Sequence, residues 1–319
     1  MTLRIGILGA ARVATYAMIA PAREVDDVVV AGVAARHFGR ARAYAADHGI
    51  AKAYESYDAL IEAPEIDAVY VALPPSLHAR WSIAALAAGK PVLCEKPFAL
   101  TLADVDAMLS AEAAAGVLLM EAQHSHYHPL NKRVRELASN GAIGHVHRIA
   151  ARFDAPVADT GSELRYIRDV GGGALWDLGV YPAYWIRSLV ADSWDVTSAS
   201  QRLHAGGADI ATDADLATSA GITATLACAM DAPLAAWLEV HGTLGSIKVR
   251  NPLAPQRGHA LDVTIGGVTR TETFSLRASY AFQLEAFRDG ATGRAPVTRG
   301  ADSRATMALL AAIDAKARS

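Results

Sequence analysis

The chain has 319 residues, of which 52% are hydrophobic and 20% are charged, a composition typical of folded rather than disordered proteins. At about 100–200 residues per domain, this length predicts two domains. The 30 Lys and Arg residues nearly balance the 33 Asp and Glu residues, and the net charge of −3 excludes the broad basic surface on which nucleic-acid binding depends.

Short apolar runs alternate with helical patterns in the first 122 residues. Strands are predicted at 4–8, 28–34, 67–73, 91–94 and 117–120, and helices at about 12–22, 38–48, 56–63, 76–88 and 101–115. The strands are continuously apolar, which is typical of strands covered on both faces. The alternation therefore predicts an α/β domain over 1–122 with a parallel sheet between helices.

The pattern changes after residue 122. Strands with partly alternating polarity are predicted at 146–155, 194–204, 220–230, 235–241, 246–250 and 261–265, and helices at about 130–139, 175–190, 279–290 and 301–317. This pattern predicts a second, α+β domain over 123–319 with a large, mostly antiparallel open sheet. The C-terminal helix 301–317 is a candidate to pack back on the first domain.

The turn after the first strand resembles a dinucleotide-binding fingerprint. Gly9 and Ala14 occupy the places of its first and third small residues, whereas Ala11 replaces the second glycine. The strand–turn–helix context favours a cofactor turn, and an ordinary turn without ligand is the alternative. The candidate cofactor contacts in this turn are Gly9, Ala10, Ala11, Arg12 and Val13.

The end of the second strand indicates which nicotinamide cofactor binds. NAD sites usually place an acidic residue here for the ribose 2′-hydroxyl, but no acid lies between Asp27 and Asp47. Arg36, helped by Arg40, suits a 2′-phosphate through charge-assisted hydrogen bonds. The sequence therefore predicts NADP in preference to NAD, with a solvated arginine as the alternative for Arg36.

Two further strand ends bring polar groups to the edge where open α/β sheets bind ligands. Leu73 and Pro74 follow the third strand of the pattern, and Glu95 and Lys96 follow the fourth. Pro97 restricts the backbone of the lysine before it, which fixes its direction. We predict that all four line the cofactor crevice, and a surface lysine is the alternative for Lys96.

The Glu95-Lys96-Pro97 motif and the later GGGALWDLGVYP segment, residues 171–182, occur in the order found in one family. The whole chain resembles the Gfo/Idh/MocA oxidoreductases. The runs VAAR, VLCEKP and LLMEA are most similar to the branch of the dimeric dihydrodiol dehydrogenases and D-xylose dehydrogenases.

The resemblance implies a Rossmann domain and a second domain whose open sheet forms a homodimer face. It implies hydride transfer between a nicotinamide and a sugar, polyol or vicinal diol. It makes Lys96 the catalytic lysine, Asp177 an active-site acid and Tyr181 the proton donor or acceptor. His78 matches a family histidine that is either structural or adjacent to the cofactor.

Elementary chemistry supports the lysine–tyrosine pair. A phenol has a reference pKa of about 10, too high for a base at neutral pH, and a neighbouring ammonium favours the phenolate. Asp177 and Tyr181 are four residues apart and share a face if their segment is helical. The alternatives are a core tyrosine and a structural carboxylate.

Substrate contacts are predicted for Arg165, Tyr166 and Trp176, which offer hydrogen bonds and aromatic faces, and for His126. Ordinary packing is the alternative for each. His124, His126 and His128 would share one face of an extended strand, but no carboxylate or cysteine joins them and hydride transfer needs no metal. No metal is therefore expected.

The remaining features exclude other classes of protein. Cys94 and Cys228 lie too far apart for a CxxC metal site, and neither a targeting segment nor a membrane-length apolar run is visible. We expect a cytoplasmic enzyme with no membrane or nucleic-acid partner. A non-catalytic nicotinamide-binding sensor is the alternative function, and a hydrolase lacks its motifs.

Overall fold

The computed structural model describes residues 2–294 and 300–319. They divide into two compact units, one formed by Met1–His124 and Tyr280–Arg304 and the other by Ser125–Ser279 and Ala305–Ser319. The division after His124 lies close to the predicted boundary at 122. Residues 280–294 and 300–304 differ, because they belong to the first unit although the sequence pattern predicts them in the second domain.

The first unit contains a six-stranded sheet in the order β3-β2-β1-β4-β5-β6, with every neighbouring pair parallel. The strands are β1 (Leu3–Leu8), β2 (Val28–Ala34), β3 (Lys52–Tyr54), β4 (Ala68–Val71), β5 (Val92–Cys94) and β6 (Leu119–Glu121). All four residues of β4 are buried, as expected for a strand covered on both faces. The parallel α/β prediction is confirmed, and β3 is an additional short strand.

Helices cover this sheet at the predicted places. The first helical segment is continuous and consists of α1 (Arg12–Ala14), a π-helical turn (Thr15–Ile19) and α2 (Ala20–Ala22). The helices that follow are α3 (Phe38–His48), α4 (Tyr57–Glu62), α5 (His78–Ala87) and α6 (Leu102–Ala115). Thr101 caps the start of α6, because its side chain accepts the Asp104 N–H at 3.1 Å. Helix α6 ends at Gly116, whose φ of 68° is the left-handed conformation that favours glycine.

The strand order determines where a ligand can bind in the first unit. Strand β1 pairs with β2 on one side and with β4 on the other. The chain therefore adds β2 and β3 on one side of β1 and then returns to add β4, β5 and β6 on the other side. Open parallel sheets bind ligands at the carboxyl ends of strands beside such a reversal. The loops that follow β1, β4 and β5 all begin at this edge.

The second unit contains an eight-stranded sheet in the order β14-β13-β12-β11-β7-β10-β9-β8. Its strands are β7 (Val146–Asp154), β8 (Asp195–Leu203), β9 (Asp209–Ala217), β10 (Thr223–Ala229), β11 (Ala235–Gly242), β12 (Gly245–Arg250), β13 (Ala260–Ile265) and β14 (Val268–Glu272). Among the described strands of this second sheet, only the β7–β10 pair is parallel, which confirms the mostly antiparallel prediction.

The remaining helices are α7 (Pro129–Ser139), α8 (Val180–Leu189), α9 (Ser279–Ala291) and α10 (Gly300–Ala317). Helix α8 packs on one face of the second sheet, where Phe153 contacts the Tyr181 ring. The opposite face carries half-buried polar and aromatic side chains, including Arg152, Trp237 and Glu239. In the described ranges, no helix is both long and apolar enough to cross a membrane.

Candidate active site

The turn after β1 has the backbone that a cofactor turn requires. Gly9 has a φ of 107°, and an added Cβ would lie 2.3 Å from the Ala72 carbonyl oxygen, so only glycine fits. Ala11 then takes an extended conformation and begins the helix without a side-chain cap. Arg12 is exposed, and Ala10 and Val13 lie beside it in the turn. The backbone N–H groups at this helix start can therefore face an anion.

Helix α3 supports the same turn from the side. Arg40 donates to the Ala10 carbonyl at 3.0 Å, and the Tyr44 hydroxyl donates to the Ala11 carbonyl at 3.0 Å. Arg36 is exposed at the end of β2. Both predicted phosphate ligands are exposed, and Arg40 in addition holds the turn through its bond to Ala10.

His78 connects the loops that follow β4 and β5. Its Nδ1 lies 2.9 Å from the Pro97 carbonyl oxygen, and its Nε2 lies 2.8 Å from the Leu73 carbonyl oxygen. Burial lowers the pKa of His78, and the two carbonyls partly oppose that effect. The side chain therefore joins the loop containing Leu73 and Pro74 to the loop containing Lys96.

Lys96 follows β5 and is half-buried, and its peptide bond to Pro97 is cis. The preceding residue, Glu95, is buried and accepts hydrogen bonds through both carboxylate oxygens. Tyr70, which is fully buried in β4, donates its hydroxyl to Oε1, and the Lys96 backbone N–H donates to Oε2 at 3.3 Å. Sequence reasoning missed Tyr70, because an apolar strand gives no signal for a polar role at one of its residues.

A second buried carboxylate lies at the end of β6. Glu121 pairs in register with Cys94 of β5, and neither of its carboxylate oxygens has a hydrogen-bond partner of normal geometry among the described residues. Burial raises the pKa of Glu121 from 4.5 to about 7, an effect that Ser303 and Gln123 partly oppose and the charge of Glu95 increases. Glu121 is thus a titrating group beside the strand that leads to Lys96.

In the second unit, the glycine run at 171–173 precedes the helical segment that contains Asp177 and Tyr181. An added Cβ on Gly172 would lie 2.5 Å from the Leu164 carbonyl oxygen, so the preceding loop packs directly on it. The buried Asp209 carboxylate accepts the Leu175 N–H at 2.8 Å and fixes the start of the helical segment. Sequence reasoning missed Asp209, because strand β9 was not predicted.

Asp177 lies in a π-helical turn, Leu175–Gly179, that continues into α8. Such turns are frequent at functional sites. Its carboxylate forms an ion pair with Arg165, with 2.7 Å between Oδ2 and Nε. Tyr181 follows in the first turn of α8, is buried, and packs edge-on against Phe153 with 5.6 Å between ring centroids. The structure therefore brings Asp177 and Arg165 together near the start of the helix that carries Tyr181.

The other predicted substrate residues have different surroundings. The Tyr166 hydroxyl donates to the Val157 carbonyl at 2.7 Å, which favours a packing role for that residue. Trp176 is half-buried. His126 packs edge-on against Tyr184, and burial lowers the pKa of His126 to about 3. Its surroundings also favour packing.

The three alternating histidines do not lie on a strand. His124–Tyr127 forms a 3-10 turn, so the extended geometry that would line up the imidazoles is absent from this segment. His128 caps α7, because its Nδ1 accepts the Leu130 N–H at 3.1 Å and its Nε2 then donates to the Ser275 carbonyl at 3.0 Å. Both nitrogens of His128 are therefore used within the fold.

Gly173→Ala is expected to lower the free energy of unfolding by about 2 kcal/mol, because Gly173 has a φ of 132° and an added Cβ would lie 2.1 Å from Asp209 Oδ1. Urea denaturation measures the change. Gly161→Ala is the control: it also has a positive φ, of 72°, but no atom lies within 4 Å of the added Cβ. Equal losses in the two variants would contradict the proposed contact with Asp209.

Two family descriptions match successive parts of the chain. Residues 3–123 match the family described as "Oxidoreductase family, NAD-binding Rossmann fold". Residues 131–248 match the "GFO/IDH/MocA C-terminal domain". The matches follow the order of the parallel and the mostly antiparallel sheets.

Individual proteins are similar over most of their length. The chain is 33% identical to D-xylose 1-dehydrogenase (NADP(+)) 2 of Haloferax volcanii, over 97% of this chain and 95% of that protein. It is 34% identical to trans-1,2-dihydrobenzene-1,2-diol dehydrogenase of Danio rerio, over 78% of this chain and 75% of that protein. A crystal structure of a 3-ketoreductase from Actinomadura kijaniata with NADP and TDP-benzene has a TM-score of 0.89 and 27% identity, covering 99% of this chain and 98% of that one.

Proposed function

The chain belongs to the Gfo/Idh/MocA family of oxidoreductases, and we propose that it transfers a hydride between NADP and a CH–OH carbon of a sugar, polyol or vicinal diol. The proposal rests on one observation. The glycine turn after β1 and the Lys96 loop after β5 lie at the same carboxyl edge of the first sheet, at its topological reversal.

The residues present fit a nicotinamide dinucleotide. Gly9 provides the tight turn after β1, and the uncapped helix start at Ala11 offers N–H groups to the charge of a pyrophosphate. Leu73, Pro74 and Glu95 follow neighbouring strands and would line the crevice beside Lys96. When bound, the cofactor supplies the hydride acceptor or donor.

NADP is favoured over NAD by the end of β2. Arg36 is exposed there, and the sequence has no nearby carboxylate that would repel a 2′-phosphate. Two similar proteins are named with NADP, the xylose dehydrogenase of Haloferax volcanii and the ketoreductase from Actinomadura kijaniata. These observations support Arg36 as the 2′-phosphate ligand.

Arg36→Asp is expected to lower the NADP/NAD ratio of kcat/KM by about 10- to 100-fold, because it removes a charge-assisted hydrogen bond and places a carboxylate beside the 2′-phosphate. Steady-state kinetics with both cofactors measure the ratio. Arg42→Asp makes the same charge change at an exposed position on α3 and should leave the ratio near that of the wild type. A similar shift in both variants would indicate a general charge effect.

We assign proton transfer to Tyr181. In the oxidative direction its phenolate accepts the proton of the substrate hydroxyl, and in the reductive direction the phenol returns it. A lysine ammonium beside a phenol favours the phenolate by charge and makes it a usable base at neutral pH, and we propose this role for Lys96. Asp177 holds Arg165, and this ion pair is suited to orient substrate hydroxyls.

The similar proteins support a polyhydroxylated substrate, since their names give xylose and a dihydrodiol. A screen of sugars, polyols and diols, followed at the NADPH absorbance, tests the proposal. Turnover of at least one compound is expected. Tight NADP binding in a direct titration, together with no turnover across the screen in either direction, would favour the non-catalytic sensor.

We also propose a homodimer formed through the open face of the second sheet. That face carries Arg152, Trp237 and Glu239, which combine opposite charges with an aromatic surface. Light scattering after size exclusion tests the oligomeric state. A cytoplasmic location is proposed with it, and the two free, buried cysteines are compatible with a reducing compartment.

A further inference from the structure

The hydrogen bonds around Glu95 form a continuous connection from the sheet interior to the Lys96 loop. The Glu95 N–H donates to the Val71 carbonyl at 3.0 Å, which fixes the backbone against β4. The Glu95 carboxylate accepts the Tyr70 hydroxyl on one oxygen and the Lys96 N–H on the other. The carboxylate therefore links a fully buried strand residue to the backbone of the proposed catalytic lysine.

Tyr70 and Glu95 are both buried, although an apolar pair in the same place would cost less free energy to bury. Tyr70 is 0% exposed and Glu95 is 7% exposed. Burying a carboxylate is unfavourable unless hydrogen bonds compensate, and here the phenol and the Lys96 N–H provide two of them. Burial raises the pKa of Tyr70 well above its usual value, so the phenol remains a hydrogen-bond donor. The pair therefore gives the lysine loop a defined geometry.

We propose that Tyr70 and Glu95 are positioning residues, which together set the direction in which the Lys96 side chain leaves the end of β5. Tyr70 fixes the carboxylate of Glu95, and the carboxylate fixes the backbone of Lys96. Neither residue touches the reacting atoms. This inference rests on the proposed catalytic role of Lys96, and a displacement of a catalytic group by a fraction of an ångström is costly for turnover.

The test is a double-mutant cycle between Tyr70→Phe and Lys96→Ala, measured with a substrate found in the screen. In the wild-type background, Tyr70→Phe is expected to lower kcat about 10-fold while the KM for NADP stays within about twofold. In the Lys96→Ala background it is expected to have no further effect on kcat. A structural role alone would not produce this coupling, because a general loss of packing would lower the residual activity as well.

Tyr54→Phe is the matched control. Tyr54, on the edge strand β3 of the same sheet, also donates its hydroxyl to a glutamate, at 2.8 Å from Oε1 of Glu65 in the turn before β4. Its kcat should equal that of the wild type. If Tyr70→Phe does not fold, Glu95→Gln takes its place in the cycle. The glutamine amide has one acceptor oxygen where the carboxylate has two, so this substitution weakens at least one of the two hydrogen bonds.

The outcomes separate this inference from the proposed function. Wild-type kcat in Lys96→Ala would overturn the catalytic role of Lys96 and, with it, this inference. Suppose that Lys96→Ala lowers kcat strongly. The positioning role alone would then be overturned if the loss caused by Tyr70→Phe simply added to that of Lys96→Ala, or if Tyr70→Phe had no effect on kcat in the wild-type background. Coupling of the two losses supports it.

Discussion

Tyr181→Phe is expected to lower kcat by about 10²–10⁴, the range typical of a lost general acid–base group. The substitution removes one oxygen atom and keeps the ring, which packs edge-on against Phe153. On the proposed pairing of Lys96 with Tyr181, Lys96→Ala should cause a loss of the same order, because a phenol without a neighbouring ammonium ionises too rarely near neutral pH. Steady-state kinetics with saturating NADP measure both losses.

Cofactor binding provides the internal control for these two variants. The dissociation constant for NADPH, measured by fluorescence titration, should change little, because the glycine turn and Arg36, the proposed contacts to the cofactor phosphates, are intact in both variants. Tyr184→Phe tests the specificity of the effect, since Tyr184 is also a buried tyrosine of α8. Turnover at the wild-type level in Tyr181→Phe would refute its role as the proton-transferring group.

Glu121→Gln is expected to raise the free energy of unfolding by up to about 3 kcal/mol at pH 8 and to change it little below pH 4.5. Burial raises the pKa of Glu121 from 4.5 to about 7. Between these two values the unfolded chain releases a proton that the folded chain retains, so the wild type loses stability as the pH rises. Above pH 7 the loss is complete, because both states are then ionised.

Urea denaturation between pH 4.5 and 8 measures this dependence. The difference between Glu121→Gln and the wild type should grow through that interval and then become constant. Glu62→Gln, at an exposed position on α4, makes the same chemical change without the burial and serves as the control. A constant difference at all pH values for Glu121→Gln would show that its carboxyl does not titrate in this interval.

The first sheet could be predicted from the sequence because its strands are continuously apolar and its helices have clear ends. The prediction for β2, residues 28–34, matches the observed bounds. Strands β3, β9 and β14 were not predicted. Strand β3 lacks a continuously apolar run, because its first residue is the exposed Lys52, and β9 contains Asp209, Asp213 and Asp215, a residue type that is depleted in strands.

The residues of the site could be predicted only where they belong to a recognisable sequence motif. The glycine turn and the Lys96 loop have recognisable sequences, and the resemblance to the Gfo/Idh/MocA oxidoreductases is confirmed by the family matches and the similar proteins. Tyr70 and Asp209 carry no such signal, because each acts through a partner distant in sequence. The histidine alternation was misleading, since a period of two predicts a strand face and the segment is a 3-10 turn.

The contact between Gly172 and the preceding loop has a consequence for how new specificities arise. The glycine leaves room for the main-chain oxygens of Leu164, Arg165 and Ile167, so this contact depends on atoms that every amino acid possesses. Exchanging a side chain of this loop would leave that contact available. Descendants of this enzyme could thus acquire a different preference one residue at a time, while the helix that bears Tyr181 stays where it is.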